Sequence, residues 1–394
     1  MSSGSARMLA GLIAVALLVA CAPDRERAPL DPLPSSIESS APSTSATTPD
    51  ASTPGSSSST TGEPTTVAPT TEVPPSSAVP PTSGPAEPIT YAALHVAAAG
   101  LVEGNVGVSV SVWRHGSREF AFTGGTRTDG SAVDSDSQFV IASVSKLVTA
   151  LSVARLAQQG RVQLDGPVPW SELGVPHDPA WESVTVRQLL SHTSGMPEAR
   201  ATWLDDPGPC RVPLVGAVAA PPTPDLGTWH YSNGNYCALG ILVEDVTGLD
   251  LEAAAYELVF DPSGISGPFL STEGPRASSV PYTKGLARLE RLGGAGTWLA
   301  STDDIAAMLS AVTADDLETL RWPGIILDQY GWGHTGSVDG AAACAWVLQG
   351  GDIVVTAFVS GTRPSSGGKV CDVVVPALAT DLGSFAGDPV RTPD

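Results

Sequence analysis

No phenylalanine, tryptophan or tyrosine precedes Tyr91 in this 394-residue chain. Aromatic side chains supply much of the apolar area that a core buries, so any fold must be built from Tyr91 onward. Residues 22–87 are mostly Pro, Ser, Thr and Ala with scattered acids. Such a stretch has too few apolar residues to offset the entropy of ordering, which predicts a disordered tether ahead of a folded domain over residues 88–394. Length alone allows two or three domains. The formal net charge of −21 argues against nucleic acid, whose phosphates need clustered Lys and Arg. It argues equally against attraction to anionic lipid surfaces.

Arg7 precedes an apolar run over residues 8–20, too short to span a bilayer but suited to a secretory signal. Leu18-Val19-Ala20-Cys21 resembles the lipobox of bacterial lipoproteins. That resemblance implies a signal peptide over residues 1–20 and a lipid on Cys21, anchoring the domain to the outer face of the cell membrane through its tether. An ordinary cleaved signal with a stray cysteine is the alternative. Of five cysteines, Cys210, Cys237, Cys344 and Cys371 then remain. They can pair in three ways, and proximity in sequence favours Cys210–Cys237 and Cys344–Cys371. No Cys-x-x-Cys or His-x-x-x-His spacing suggests a metal site, and no cofactor is expected.

Within the folded part, residues 91–99 read as a short helix. Residues 106–112 alternate like a half-buried strand, Arg114-His115-Gly116-Ser117 as a turn, and residues 119–122 as the returning strand. Leu147, Ala150, Leu151 and Ala154 form one apolar stripe of a helix that Gly160 ends. A Pro-rich insertion over residues 208–227 contains Cys210, and an apolar helix over 236–246 ends at Gly248. A Gly-rich segment at residue 293 leads into a helix with Asp303 near its start. Strands over 344–348 and 353–359 flank a Gly350-Gly351 turn. A last helix lies within 369–385, where Pro376 should kink or restart it. Strands near both ends with helices between predict one antiparallel sheet shared by the two ends, plus a helical insertion.

Ser143-Val-Ser-Lys146 puts a hydroxyl and an amine on one face at a helix start, where they can touch. A hydroxyl beside a desolvated amine is one route to a nucleophile at neutral pH. The chain has only three lysines, Lys146, Lys284 and Lys369, and otherwise uses arginine, which cannot give up its proton. Free N–H groups at the helix start can also stabilise developing negative charge at Ser143. Ser366-Gly-Gly-Lys369 repeats the spacing in what reads as a Gly-rich loop, where no helix fixes the pair. Two more motifs lie further along the chain: Tyr231-Ser-Asn233 and His334-Thr335-Gly336-Ser337.

With these motifs in this order, the chain resembles the serine β-lactamase and penicillin-binding-protein superfamily. It is most similar to the branch of class C β-lactamases, D-alanyl-D-alanine carboxypeptidases and related esterases. The similarity runs from about residue 91 to the C-terminus and includes Phe139-x-Ile141-Ala-Ser143, the segment 189–195 (Leu-Leu-Ser-His-Thr-Ser-Gly), Gly293-Gly294 and Ser301-Thr-Asp-Asp304. It implies an α/β fold, an antiparallel sheet flanked by helices, with an all-helical lobe and the active site between them. It also implies that Ser143 is the nucleophile, Lys146 its activator and Tyr231 the acid/base, with either Lys146 or Tyr231 as the base. Asn233 would hold the substrate amide or orient Lys146, and Thr335 and Gly336 would line the substrate strand. The backbone N–H groups of Ser143 and Ser337 would form an oxyanion hole.

His334 stands where β-lactamases usually carry lysine, which favours a carboxypeptidase or esterase. If His334 is the second cation beside Tyr231, activity should fall above its pKa. No counterpart of the class A deacylating glutamate is evident, and the short stretch between Met308 and His334 implies an abridged strand or loop. His192 reads as structural and His95 and His177 as surface residues, while the role of His230 is open. The sequence thus points to a lipid-anchored, extracytoplasmic, monomeric serine hydrolase with an acyl-Ser143 intermediate, foremost a D,D-carboxypeptidase acting on peptidoglycan-type peptides. Esterase and β-lactamase activities are the alternatives within the fold, and a catalytically silent wall-binding lipoprotein is the alternative outside it.

Overall fold

The computed structural model describes residues 89–198, 203–204, 206–223, 226–320, 326–328, 331–348 and 351–383. The expected signal peptide, Cys21, the tether, Gly350 and Phe385 lie outside the described residues.

Helix α1 (Ala92–Gly100) leads into strands β1 (Asn105–Arg114) and β2 (Ser117–Gly125). The turn between the two strands puts His115 (φ 50°) and Gly116 (φ 74°) in the left-handed region, the geometry that matches strand twist in a two-residue hairpin. His115 is a turn residue, as expected. The short strand β3 (Phe139–Val140) and a 3-10 turn (Ala142–Val144) open helix α2 (Ser145–Gln158). The helical region then supplies α3 (Val186–Leu190), α4 (Arg211–Val218), α5 (Asn233–Thr247) and α6 (Leu251–Ala255). Strands β4 (Phe269–Leu270) and β5 (Trp298–Ala300) join β3 in a small sheet of order β3-β5-β4. Helices α7 (Thr302–Ser310) and α8 (Ala314–Leu320) precede β6 (Ile326–Asp328), β7 (Gly331–Val338), β8 (Ala341–Leu348), β9 (Ile353–Gly361) and α9 (Gly367–Leu382). The main sheet is antiparallel with order β2-β1-β9-β8-β7-β6. Both ends of the domain therefore share one sheet, and the fold is the expected α/β arrangement.

Strand β1 corrects one expectation. Its centre is buried on both faces, because it lies between β2 and β9 with helices on either side. Val108, Val110 and Val112 pack with residues of α1 and α9. On the other face Ser109 Oγ lies 2.7 Å from Thr302 Oγ1, and Ser111 Oγ donates to Asp303 Oδ1 at 2.6 Å. Small hydroxyls met by partners from α7 stay dry without an unpaired polar atom. Sequence alternation marks that face as polar but does not show that a helix covers it.

Four other local readings change or gain detail. Ser366 is not in a loop: it caps α9, its Oγ accepting the N–H of Lys369, while Lys369 Nζ reaches Ser365 Oγ at 3.3 Å. Helix α9 also runs unbroken through Pro376. Pro376 and Asp372, whose carbonyl loses its helical donor, are both exposed, so water can take the missing bond. The Pro-rich insertion contains α4, with Pro213 in its first turn, where an N–H is unpaired anyway. The stretch between Met308 and His334 holds α8 and β6.

Helix α2 is the buried axis of the domain, with every residue from Ser145 to Ala154 and also Leu156 inaccessible. Its apolar stripe packs into the larger of two core clusters, which also contains Trp170, Trp181, Trp203 and Trp298. A helix buried all round cannot move its first turn independently of its neighbours. Disulfides join Cys210 to Cys237 and Cys344 to Cys371, the pairing proximity favoured.

Candidate active site

Ser143 is placed by a sharp turn from sheet to helix. Phe139 pairs with Ala300 of β5, and two residues after β3 ends Ala142 takes φ 46°, left-handed backbone that costs an L-residue on the order of 1 kcal/mol. Strand β7 presses against this turn. A Cβ on Gly336 would sit 2.1 Å from the Ile141 carbonyl oxygen, so only glycine lets the strand pass so close. The His334-Thr335-Gly336-Ser337 motif is thereby held alongside Ser143.

Three side chains from distant segments converge there. Ser143 Oγ lies 2.8 Å from Tyr231 Oη, and Lys146 Nζ donates to Ser143 Oγ at 3.1 Å. Nζ also donates to Asn233 Oδ1 and to the Ala295 carbonyl, each at 2.8 Å. Lys146 is fully buried, so these oxygens replace the water its amine has lost. The faces of Tyr231 and Tyr236 add attraction, with Nζ 4.9 Å and 5.5 Å from the ring centres. Asn233 stands in the first turn of α5, capped by Ser232, and its N–H donates to Glu198 Oε2 at 3.2 Å. The half-buried hydroxyl of Ser143 thus has one neighbour, Tyr231, placed to exchange its proton and another, Lys146, that donates to it.

His334 differs from expectation. It is buried on β7, and burial first, then the neighbouring Lys146, pushes its pKa down to about 3. Nδ1 lies 2.6 Å from the Thr335 carbonyl. That oxygen can only accept, so Nδ1 carries the proton and Nε2 is left as an acceptor. His334 is therefore a neutral imidazole across the physiological range, not the second cation beside Tyr231. Thr335 pairs with Cys344 of β8. Ser337 Oγ accepts the N–H of Gly367 at 2.9 Å, tying β7 to the start of α9.

Several contributors escaped the sequence reading. The Ala295 carbonyl reaches Lys146 because Gly294 lets its loop lie on α5: a Cβ there would be 2.6 Å from the Tyr236 carbonyl oxygen and 2.9 Å from Thr149 Oγ1. The Gly293-Gly294 signature was the available signal. His192, in left-handed backbone (φ 57°), stacks on Tyr231 at 4.6 Å. Its Nδ1 accepts from the Ser232 N–H at 3.2 Å and from Asn235 Nδ2 at 3.0 Å. Burial first, then Lys146, His334 and His230, hold it well below the usual histidine range. It is structural, as read, but what it structures is the wall behind Tyr231. His230 is exposed, and its N–H donates to the His192 carbonyl at 2.7 Å. His95 is exposed, whereas His177 is half-buried against Trp170. The Ser301-Thr-Asp-Asp304 signature is a capping box that starts α7. Among the described residues, no group of three or more His, Cys, Asp or Glu is placed to hold a metal ion.

A family model described as Beta-lactamase matches residues 96–375. The chain belongs to the beta-lactamase family. Its relatives within and around this family include esterase EstB of Burkholderia gladioli, 32% identical over 206 residues, covering 46% of this chain and 51% of the esterase. Penicillin-binding protein 4* of Bacillus subtilis (strain 168) is 28% identical over 148 residues, 35% of this chain and 32% of that protein. The chain thus spans about half or less of the length of these curated relatives. Among solved structures, D-amino acid amidase from Ochrobactrum anthropi SV3 superposes with a TM-score of 0.62 at 20% identity, covering 73% of this chain and 99% of the amidase. The octameric penicillin-binding protein homologue from Pyrococcus abyssi gives 0.58 at 21% identity, covering 71% of this chain and 74% of that one. These likenesses show the beta-lactamase/transpeptidase-like fold.

Proposed function

We propose that this beta-lactamase-family domain is a serine hydrolase of small esters and amides that works through an acyl-Ser143 intermediate. The observation that carries the reading is the convergence of Tyr231 Oη and Lys146 Nζ on Ser143 Oγ. Two N–H bonds of Lys146 are committed to the oxygens of Asn233 and Ala295, so its part is to hold Ser143 and Asn233 in place. Tyr231, the nearer group, enters the step as the phenolate, which the adjacent Lys146 cation favours; it takes the serine proton as Oγ attacks the carbonyl carbon and gives it to the leaving oxygen or nitrogen. Water then attacks the acyl-enzyme, and its proton goes back through Tyr231 to Ser143. The N–H groups of Ser143 and Ser337 are the proposed oxyanion donors, one such donor being worth about 2.7–4 kcal/mol.

The neutral His334 separates the substrate classes. A carboxypeptidase must hold a free carboxylate, to which His334, its one N–H spent on the Thr335 carbonyl, offers neither a donor nor a positive charge. Esters and amides with a neutral end fit better, in line with the EstB similarity. D,D-Carboxypeptidase action on peptidoglycan-type peptides is the second reading, favoured by the similarity to penicillin-binding protein 4*. Lipid attachment at Cys21 would bring either activity to the outer face of the membrane.

The test is intact-mass and peptide mapping after exposure to a nitrophenyl ester, a D-Ala-D-Ala peptide and a penicillin. The expected result is an acyl adduct on Ser143, fastest with the ester, and loss of turnover in Ser143→Ala by at least about 10³-fold. Turnover that persists in Ser143→Ala overturns the mechanism. Faster turnover of the peptide than of the ester promotes the second reading.

A further inference from the structure

A large apolar side chain stands uncovered next to this site. Trp229 is 66% exposed, although it lies only two residues before Tyr231. Leu226, on the same segment, is 44% exposed. The segment is not a loose loop. The N–H of Gly227 donates to the Thr193 carbonyl and that of His230 to the His192 carbonyl, both at 2.7 Å. These two bonds rib it against the segment that carries His192. The Trp229 indole meets the His192 ring edge-on at 6.3 Å and lies 6.5 Å from the Tyr231 ring.

The Tyr231 ring itself has His192 at 4.6 Å and the Lys146 amine at 4.9 Å. Trp229 therefore extends, towards solvent, the same aromatic wall that ends at the proton-transferring hydroxyl. Tryptophan presents a large rigid face at little entropic cost, with a payload of roughly 150–250 Å² when covered. Keeping that face wet is unfavourable for the free protein, and a ligand that covers it recovers the loss.

We infer that Trp229 is the apolar platform for the leaving group, so that the enzyme selects esters and amides whose departing alcohol or amine is aromatic or bulky and apolar. The inference rests on the proposed acyl-Ser143 mechanism. In it, Tyr231 hands its proton to the departing oxygen or nitrogen, so the part of the substrate beside Tyr231 during acylation is the leaving group. The acyl portion stays bonded to Ser143. Once the alcohol or amine has gone, Trp229 has nothing to hold, and its influence is confined to acylation.

The test compares wild-type, Trp229→Ala and Trp229→Phe full-length enzymes on two ester series. One fixes the acyl group and varies the leaving group from methanol to 2-naphthol; the other fixes the leaving group and lengthens the acyl chain. Comparing each ester across enzymes cancels its intrinsic reactivity. Trp229→Ala should lower the ratio of kcat/KM for naphthyl over methyl ester by about tenfold, the scale expected for lost apolar contact in a specificity pocket. Trp229→Phe should restore most of that ratio, and the dependence on acyl length should keep its slope in all three proteins. An equal loss across leaving groups, or a loss that tracks the acyl chain instead, overturns the platform. Mass analysis of the same variants for acyl-Ser143 keeps the two readings apart: an adduct without leaving-group selectivity defeats only the role of Trp229, whereas no adduct in any of the three defeats the mechanism beneath it.

Discussion

A buried histidine and a buried lysine share the candidate site, and only one of them carries charge. His334 and Lys146 are both inaccessible, but Lys146 is surrounded by oxygens while His334 spends its one N–H on the Thr335 carbonyl. The consequence is a pH effect on stability rather than on the alkaline limb of activity. The folded-state pKa of His334, about 3, lies below the ordinary value near 6.5. The unfolded chain therefore binds the proton first on acidification. The stability contribution is fully present above about pH 6.5 and is lost as pH falls towards the folded value. His192, shifted in the same direction, adds to the slope. In melting experiments between pH 4 and 8, His334→Gln should lose less stability on acidification than the wild type. An equal slope in both proteins would show that His334 is already protonated in the fold.

At the scale of elements, the site depends on two close approaches of backbone and on the helix between them. Strand β7 rides on the Ser143 turn through Gly336, the loop before β5 rides on α5 through Gly294, and α2 carries Lys146 between them. Gly336→Ala should therefore act on geometry more than on folding. The added methyl meets a main-chain oxygen rather than a flexible side chain, so β7 must move away from the nucleophile. A displacement near 1 Å is worth about 10²-fold in rate. A fall of that size in kcat/KM, with circular dichroism unchanged, is the expected outcome; retention of full activity would mean that β7 takes no part. Element positions were largely legible. The β1–β2 hairpin, the helix after Ser143 and the helix ending at Gly248 come from period, turn residues and glycine stops. What misled was context. The seryl face of β1 is dry because α7 covers it, and Pro376 fits inside α9 where both it and Asp372, four residues earlier, are exposed.

Across the whole domain, both disulfides tie together elements that are near neighbours in sequence. Each closes a 27-residue separation, and a closed loop of that size is worth about 2–4 kcal/mol. They differ in what they back. Cys210 lies under Gly293, where an added Cβ would be 2.4 Å from its Sγ, so the Cys210–Cys237 bridge supports the loop that offers the Ala295 carbonyl to Lys146. Cys344–Cys371 pins α9 to β8. Replacing either pair with serine should lower the melting temperature. The Cys210/Cys237 variant should also acylate more slowly than the Cys344/Cys371 variant at a temperature where both are folded. Equal rates would confine both bridges to stability.

The sequence by itself determined the pieces with local signatures. Ser143 and Lys146 are three residues apart on one helix, a relation carried by backbone geometry alone. Tyr231, Asn233 and the His334–Ser337 strand were named through motifs in a fixed order, and an antiparallel sheet joining both ends was read from strand period. Tertiary structure decided the rest, because each deciding feature belongs to a contact between distant segments. A backbone carbonyl such as that of Ala295 has no residue identity to read, and the stacking of His192 on Tyr231 joins positions 39 residues apart. Ser-x-x-Lys was written in the chain. The neutrality of His334 and the exposure of Trp229 were set by what the fold packs against them, and those two facts shape what the serine is proposed to act on.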